Sequence, residues 1–147
     1  MPSFRALSTV EEQELDTCLV HALELVPVDP SQQGEGFLVV GIHVFVEAVR
    51  AGEELPPGVS PEDAATWMGV LWGEELARQG GWEWCSLRMD NGLEGVALVD
   101  RNRSRACYPL HCLHRWLSGD AESDVMPLFV RLCREEPGSD NALLLVG

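Results

Sequence analysis

The stretch Gly80-Gly81-Trp82-Glu83-Trp84-Cys85-Ser86-Leu87-Arg88-Met89-Asp90-Asn91-Gly92 decides how this chain folds, because the apolar period changes within it. Up to Gln79 the apolar residues recur at helical spacing. From Trp82 onward, Trp82, Trp84 and Ser86 alternate with Glu83, Cys85, Leu87 and Met89, which is the two-residue period of a strand. Asp90-Asn91-Gly92 is a hairpin signal, since Asn-Gly tolerates the positive φ angles that a tight turn requires. Glu94 to Asp100 then reads as the returning strand, Asn102 to Ser104 as a second turn and Arg105 to Tyr108 as a third strand. An antiparallel meander of this kind needs helices on one side to bury its apolar face.

Helical segments flank the meander. Ser60-Pro61-Glu62-Asp63 supplies a cap, a proline for the first helical position and two acids for the first turn. Ala64, Trp67, Met68, Leu71 and Leu76 continue that helix to Gln79, and Gly80-Gly81 ends it. Gly69 and Gly73, four apart, let another element approach closely, at a helix-propensity cost of about 1 kcal/mol each. Nearer the N-terminus, Ser8 or Thr9 with Glu11 and Glu12 forms a capping box. Leu15, Cys18, Leu19, Ala22, Leu23 and Val26 follow on one face, with Pro27 and Pro30 as the stop and His21 half-buried beside the stripe. Residues 31–36 read as a loop.

Phe37 to Val49 is apolar enough for either element; its length favours a helix. The expected buried side is Phe37, Val40, Gly41, Val44, Phe45, Ala48 and Val49, with Ala51-Gly52 as the stop and a linker to Gly58. After the meander, Pro109 opens a short helix carrying Leu110, Leu113, Trp116 and Leu117, ended by Gly119. Asp120 to Asp124 caps a last helix with Val125, Phe129, Leu132 and Cys133 on one face, closed by Pro137-Gly138. Ala142 to Val146 either adds an edge strand or stays unpinned. The expected fold is a single α+β domain over residues 1–147. Several helices pack on one face of a three-stranded antiparallel β-meander, four-stranded if the tail joins.

Composition removes several functions. The chain has no lysine, which excludes the P-loop ending and Schiff-base or pyridoxal chemistry. No apolar run approaches the roughly 20 residues of a membrane span, and Met1 to Glu14 lacks the apolar centre of a secretory signal, so a cytosolic protein is expected. Five scattered cysteines point to reduced, mostly buried thiols rather than a disulfide framework. Net charge is −14, unevenly spread: residues 101–119 carry Arg101, Arg103, Arg105 and Arg115 and no acid, a positive island in a negative body.

That island holds the clearest grouping of reactive side chains: Cys107, His111, Cys112 and His114. His111 and His114 share a helix side, and imidazole with thiolate suits zinc. No recognised ligand spacing or fourth ligand accompanies them, so the expectation is core cysteines with a surface histidine pair, no metal and no cofactor. A cysteine–histidine nucleophile is likewise unsupported by neighbourhood in sequence, and no Gly-x-Ser-x-Gly elbow exists. The acid pairs Glu11-Glu12, Glu53-Glu54, Glu74-Glu75 and Glu135-Glu136 are too many for any one to mark a general acid. Glu83, between two tryptophans, is the one acid whose neighbours would desolvate it, against the plainer reading of an outward strand residue. The four arginines would suit phosphate, but nucleic acid would have to approach a repelling body.

The helix carrying Gly69, Gly73, Glu74, Glu75 and Leu76, then Gly81-Trp82-Glu83-Trp84, then a meander ending in Tyr108-Pro109-Leu110-His111, resembles bacterial domains of unknown function over residues 60–118. The small acidic chain also resembles the cognate immunity proteins of secreted antibacterial toxins. That second resemblance implies a non-catalytic module that occludes a basic protein partner, and it carries over no catalytic residue. Charge supports it independently, since an acidic surface steers and covers a basic active site. The expected contact surface is Glu53, Glu54, Trp72, Glu74, Glu75, Trp82, Glu83, Trp84, Asp90 and Glu94, with Trp72 and one of Trp82 or Trp84 exposed as anchors. Neither nucleic acid nor membrane is an expected partner. The alternatives are a small metal- or ligand-binding enzyme domain built on Cys107 to His114, and an adaptor subunit.

Overall fold

The computed structural model describes residues 2–27, 37–119, 124–134 and 144–146. Its elements are β1 (Ser3–Arg5), α1 (Thr9–Leu25), α2 (Phe37–Arg50), α3 (Pro61–Gly80), β2 (Glu83–Arg88), β3 (Glu94–Val99), β4 (Arg105–Cys107), α4 (Pro109–Ser118), α5 (Val125–Arg134) and β5 (Leu144–Leu145). The expected loop over 31–36, Pro30, the cap residues 120–123, the Pro137-Gly138 stop and Ala142 lie outside the described residues. Among the described residues no helix is long and apolar enough to cross a membrane.

The sheet has the order β1-β2-β3-β4-β5. The first four strands form an antiparallel meander, and β5 adds in parallel at the far edge. The tail is therefore pinned, with Leu144 opposite Arg105. β1 was not expected, because three residues are too short to show a period. It pairs Phe4 with Leu87, and Arg5 reaches Glu11 at 3.0 Å, tying the strand to the first turn of α1. There Ser8 and Glu11 close the capping box, and the Ser8 backbone N–H, followed by Arg5, holds the Glu11 carboxyl below its usual value.

α3 is the axis of the fold. Ser60 caps it, its Oγ accepting from the Asp63 N–H at 3.0 Å, and Gly81 ends it in the left-handed region at φ 73°. Every other helix packs against it, so it is buried nearly all round rather than along one stripe. Trp72 sits at its centre, fully buried, donating from Nε1 to the Val125 carbonyl at 3.1 Å and meeting Trp116 and Phe129 edge-on. The two glycines work as their spacing suggests. A Cβ on Gly69 would lie 2.8 Å from the Cα of Leu110 on α4, and one on Gly73 would lie 2.5 Å from the Trp84 ring on β2. Loss of the Ser60 cap strands one N–H of the first turn, so Ser60→Ala is expected to lower stability by about 1 kcal/mol in urea unfolding, and Ser60→Asp to restore it.

The strand alternation sorts the sheet into two faces. Trp82, Trp84, Leu98 and Cys107 join the main core under the helices. Cys85, Leu87, Ala97, Val99, Ala106 and Tyr108 form a smaller cluster on the other side, where the Tyr108 hydroxyl donates to the Leu87 carbonyl at 3.0 Å.

Phe37–Arg50 is a helix, as its length suggested, and its buried side is the expected one in part: Gly41 and Phe45 are buried and Val49 packs on the core. Val39, Ile42, Phe45 and Val46 face the core, whereas Val40 and Val44 are exposed. The helix is apolar around most of its circumference, so its sequence alone does not select a face. Gly41 helps set it: a Cβ there would come within 2.6 Å of the Pro27 carbonyl oxygen at the end of α1.

Candidate functional site

The ten residues expected to form one contact surface separate into three groups. Trp72, Glu75 and Trp82 are interior and reach no partner, which corrects their assignment. Trp72 is taken by the aromatic centre of the core. Trp82 lies beneath the Arg105 guanidinium, 5.2 Å from its ring centroid. Glu75 is buried because its own helix satisfies it: Oε2 accepts from Arg78 Nε at 3.1 Å and Gln79 Nε2 at 3.0 Å, and a second Arg78 nitrogen closes the pair. Glu74 and half-buried Trp84 hold each other, the indole N–H donating to Glu74 Oε2 at 3.0 Å. Glu53, Glu54, Glu83, Asp90 and Glu94 are exposed. Glu53 and Glu54 precede α3 and Glu83 follows it, and a helix of 20 residues spans about 30 Å. They do not make one spot.

A more concentrated surface lies on α1, where the expected stripe is only partly buried. Ala22 and Val26 are interior. Leu23, expected in the core, is 53% exposed, and its neighbour Val20 is 58% exposed. At about 100° per residue, Gln13, Asp16, Val20 and Glu24 lie opposite Ala22, with Leu23 beside them. The helix holds Glu11, Glu12, Glu14, Asp16 and Glu24 and no lysine or arginine. The same negative field continues onto α3: Glu14 and Asp63 both act on the Cys18 thiol, which burial, then these two carboxylates, push above its usual value. At the seam between the two helices His21 is exposed rather than half-buried, and it stacks on Trp67 at 4.6 Å with an interplanar angle of 20°. Two apolar side chains on a helix of five acids make a surface suited to a basic, partly apolar partner.

The positive island is partly turned inward. Arg105 is buried and donates from Nε to Asp100 Oδ2 at 3.1 Å, and the Arg103 guanidinium lies over Phe4 at 5.1 Å. Its four thiol and imidazole groups are not assembled. Cys107 is fully buried in β4, and Cys112 faces the core from α4. Burial raises the Cys107 thiol well above its usual value and pushes Cys112 up to about 11. Both are therefore thiols, not thiolates, near neutrality, which suits neither a nucleophile nor a ready metal ligand. His111 and His114 are exposed on α4, the former edge-on to Tyr108 at 5.6 Å.

A cleft of about 160 Å³ opens where β1 meets β2, lined in part by Phe4, Arg5, Glu83, Trp84, Cys85 and Arg103. Its one thiol, Cys85, is raised by burial, with Arg103 pulling the other way and Glu83 adding to the rise. Glu83 itself is exposed, an outward strand residue and not a desolvated acid.

No curated protein and no solved structure matches the chain. A family described as a domain of unknown function (DUF3806) matches residues 53–129, from the linker before α3 into α5, just over half of the chain. That span contains the helix, the paired tryptophans and the meander on which the resemblance to bacterial domains of unknown function rested, while α1 and α2 precede it. The chain belongs to the DUF3806 family.

Proposed function

We propose that this chain is a non-catalytic, acidic protein-binding module whose occupant is a basic protein, and that it acts as an immunity protein that covers a cognate bacterial toxin. The observation that carries the reading is α1: Val20 and Leu23 stand more than half exposed on a helix with five carboxylates and no cation. Aliphatic side chains supply contact area that gains by leaving water, about 25 cal/mol per Å² buried. The surrounding acids supply orientation and a fast, salt-dependent encounter. The charge of the whole chain, −14, extends the same preference beyond the contact itself.

The test pairs the purified chain with basic toxin candidates, beginning with the products of reading frames adjacent to its gene. Calorimetry should find a complex whose association slows as salt rises. The double variant Val20→Ser, Leu23→Ser should weaken it by about 10-fold or more, and amide exchange should slow along α1 on binding. Complexes that leave α1 unprotected and ignore the double variant would move the interface elsewhere. Absence of any complex with such a neighbour would remove the immunity reading.

A further inference from the structure

We propose that His43, Glu47 and Asp124 form a binding site for a zinc-class divalent cation that clamps α2 to the start of α5. The inference is independent of the protein-binding surface on α1. His43 and Glu47 are four apart on α2 and so project from one side of the helix. Asp124 precedes Val125, the first residue of α5, and comes from the other end of the sequence. A ring nitrogen of His43 and one carboxylate oxygen from each acid all lie within 4.8 Å of one another. Ligand bonds to zinc are about 2.1 Å in a tetrahedral set, so its ligand atoms stand about 3.4 Å apart. Small side-chain rotations bring the three into that range.

Two further observations distinguish this set from the many carboxylates of the surface. The Nδ1 atom of His43 is sealed from solvent and has no hydrogen-bond partner among the described residues. A buried ring nitrogen needs a partner, and a coordinated ion would be one. The second is the orientation of Asp124. Its Oδ1 accepts from the Val125 N–H at 2.8 Å, which turns Oδ2 toward α2. There Oδ2 meets Arg50 Nη1 at 3.4 Å, and the same nitrogen stands 3.6 Å from Glu47 Oε1. Both contacts are long for a charge-assisted pair, which closes to about 2.7–2.9 Å. Arg50 is thus a loosely held cation between the two carboxylates, displaceable by an ion that also takes the imidazole.

One histidine with two carboxylates selects the metal class. Imidazole suits zinc, cobalt, nickel and iron, whereas magnesium and calcium prefer oxygen-only sets. Three protein ligands leave a position for water.

The experiment is calorimetric titration of the chelator-treated full chain with zinc chloride, with cobalt(II) absorption as a coordination readout. One ion per chain is expected, with magnesium in excess failing to displace it. His43→Leu and Asp124→Asn should each weaken binding by about 100-fold, while circular dichroism shows both folded, since Nδ1 has no bond to lose and asparagine keeps the cap. Arg50→Gln should tighten binding several-fold, because the competing cation is gone. Zinc uptake that survives His43→Leu would place the ion elsewhere and overturn the proposal, as would no uptake by the parent chain. An Arg50→Gln variant that binds more weakly would show that the cluster is an ordinary ion-pair network.

Discussion

Asp100→Ala is expected to remove about 3–5 kcal/mol of stability, the cost of leaving one member of a buried ion pair without the other. Asp100 and Arg105 are both interior, 4% and 7% exposed. The carboxylate accepts from the Ser104 N–H and hydroxyl, each at 2.8 Å, from the Arg105 N–H at 3.2 Å and from Arg105 Nε at 3.1 Å. It thereby closes the turn between β3 and β4, in which Arg103 adopts a positive φ of 53°. Without it, two backbone donors and the Ser104 hydroxyl lose their acceptor, and the Arg105 guanidinium loses its contact to this carboxylate while keeping the face of Trp82. The double variant Asp100→Ala, Arg105→Met separates charge from turn geometry. Recovery of more than half the loss assigns the effect to the Asp100–Arg105 charge pair; no recovery assigns it to the turn.

The same carboxylate gives a pH signature. Burial alone would raise its pKa, but the hydrogen bonds from Ser104 and Arg105 outweigh burial and hold it below the usual value. A folded-state pKa below the unfolded one means that the unfolded chain binds the proton more readily. The contribution is therefore complete well above the unfolded value of about 3.9 and fades as pH falls through the folded value. Unfolding free energies of the parent and Asp100→Asn should differ at pH 7, begin to approach each other below about pH 4, and meet only once the pH has fallen below the folded-state value. A gap that does not narrow at all as the pH is lowered would mean that the charge is not what Asp100 contributes.

Several parts of this architecture were legible because one residue type has one physical use there. Ser60, Pro61 and Gly81 bound α3, since only a cap, an N1 proline and a left-handed glycine fit those positions. Asp90-Asn91-Gly92 turned the hairpin, and the alternation after Trp82 sorted its two faces. Other parts were hidden for equally physical reasons. β1 is too short to carry a period. On α2 the apolar residues surround the helix, so the buried side depends on Gly41 meeting Pro27. Trp72 looks available as an anchor from the periodicity of α3; in the fold the other four helices pack on α3, and Trp72 meets α4 and α5. Glu75 looked like surface charge, though Arg78 and Gln79, three and four residues on, were the signal that it could be satisfied inside. On α1 a regular stripe concealed that Leu23 lies at its edge. The sign to follow there was Val20 outside the stripe, on a helix with carboxylates and no cation. The His43, Glu47 and Asp124 set had half a signal, the spacing of four on α2; Asp124 joins only through tertiary packing.

Gly69→Val is expected to be severely damaging, with a loss of about 3 kcal/mol. Helix propensity alone argues the other way for small side chains, since alanine exceeds glycine by about 1 kcal/mol in a helix interior. Close packing decides the sign. A Cβ at position 69 would meet Leu110 Cα at 2.8 Å, the Pro109 carbonyl oxygen at 3.0 Å and Leu110 N at 3.1 Å, all backbone atoms at the start of α4. Backbone cannot rotate out of the way, so α4 as a whole must retreat. Trp116 would retreat with it, opening its edge-on contact with Trp72 at the centre of the core. Gly73 provides the internal comparison. Its added Cβ would also be too close, at 2.5 and 2.7 Å, but to the far end of the Trp84 ring. A side chain can tilt, though here at the expense of its hydrogen bond to Glu74. The expected order of urea midpoints is parent, then Gly73→Ala, then Gly69→Ala, then Gly69→Val, with a tryptophan emission shift at Gly73→Ala. A Gly69→Ala variant at least as stable as the parent would show that propensity outweighs contact, and that α3 and α4 are not held apart by the single hydrogen of this glycine.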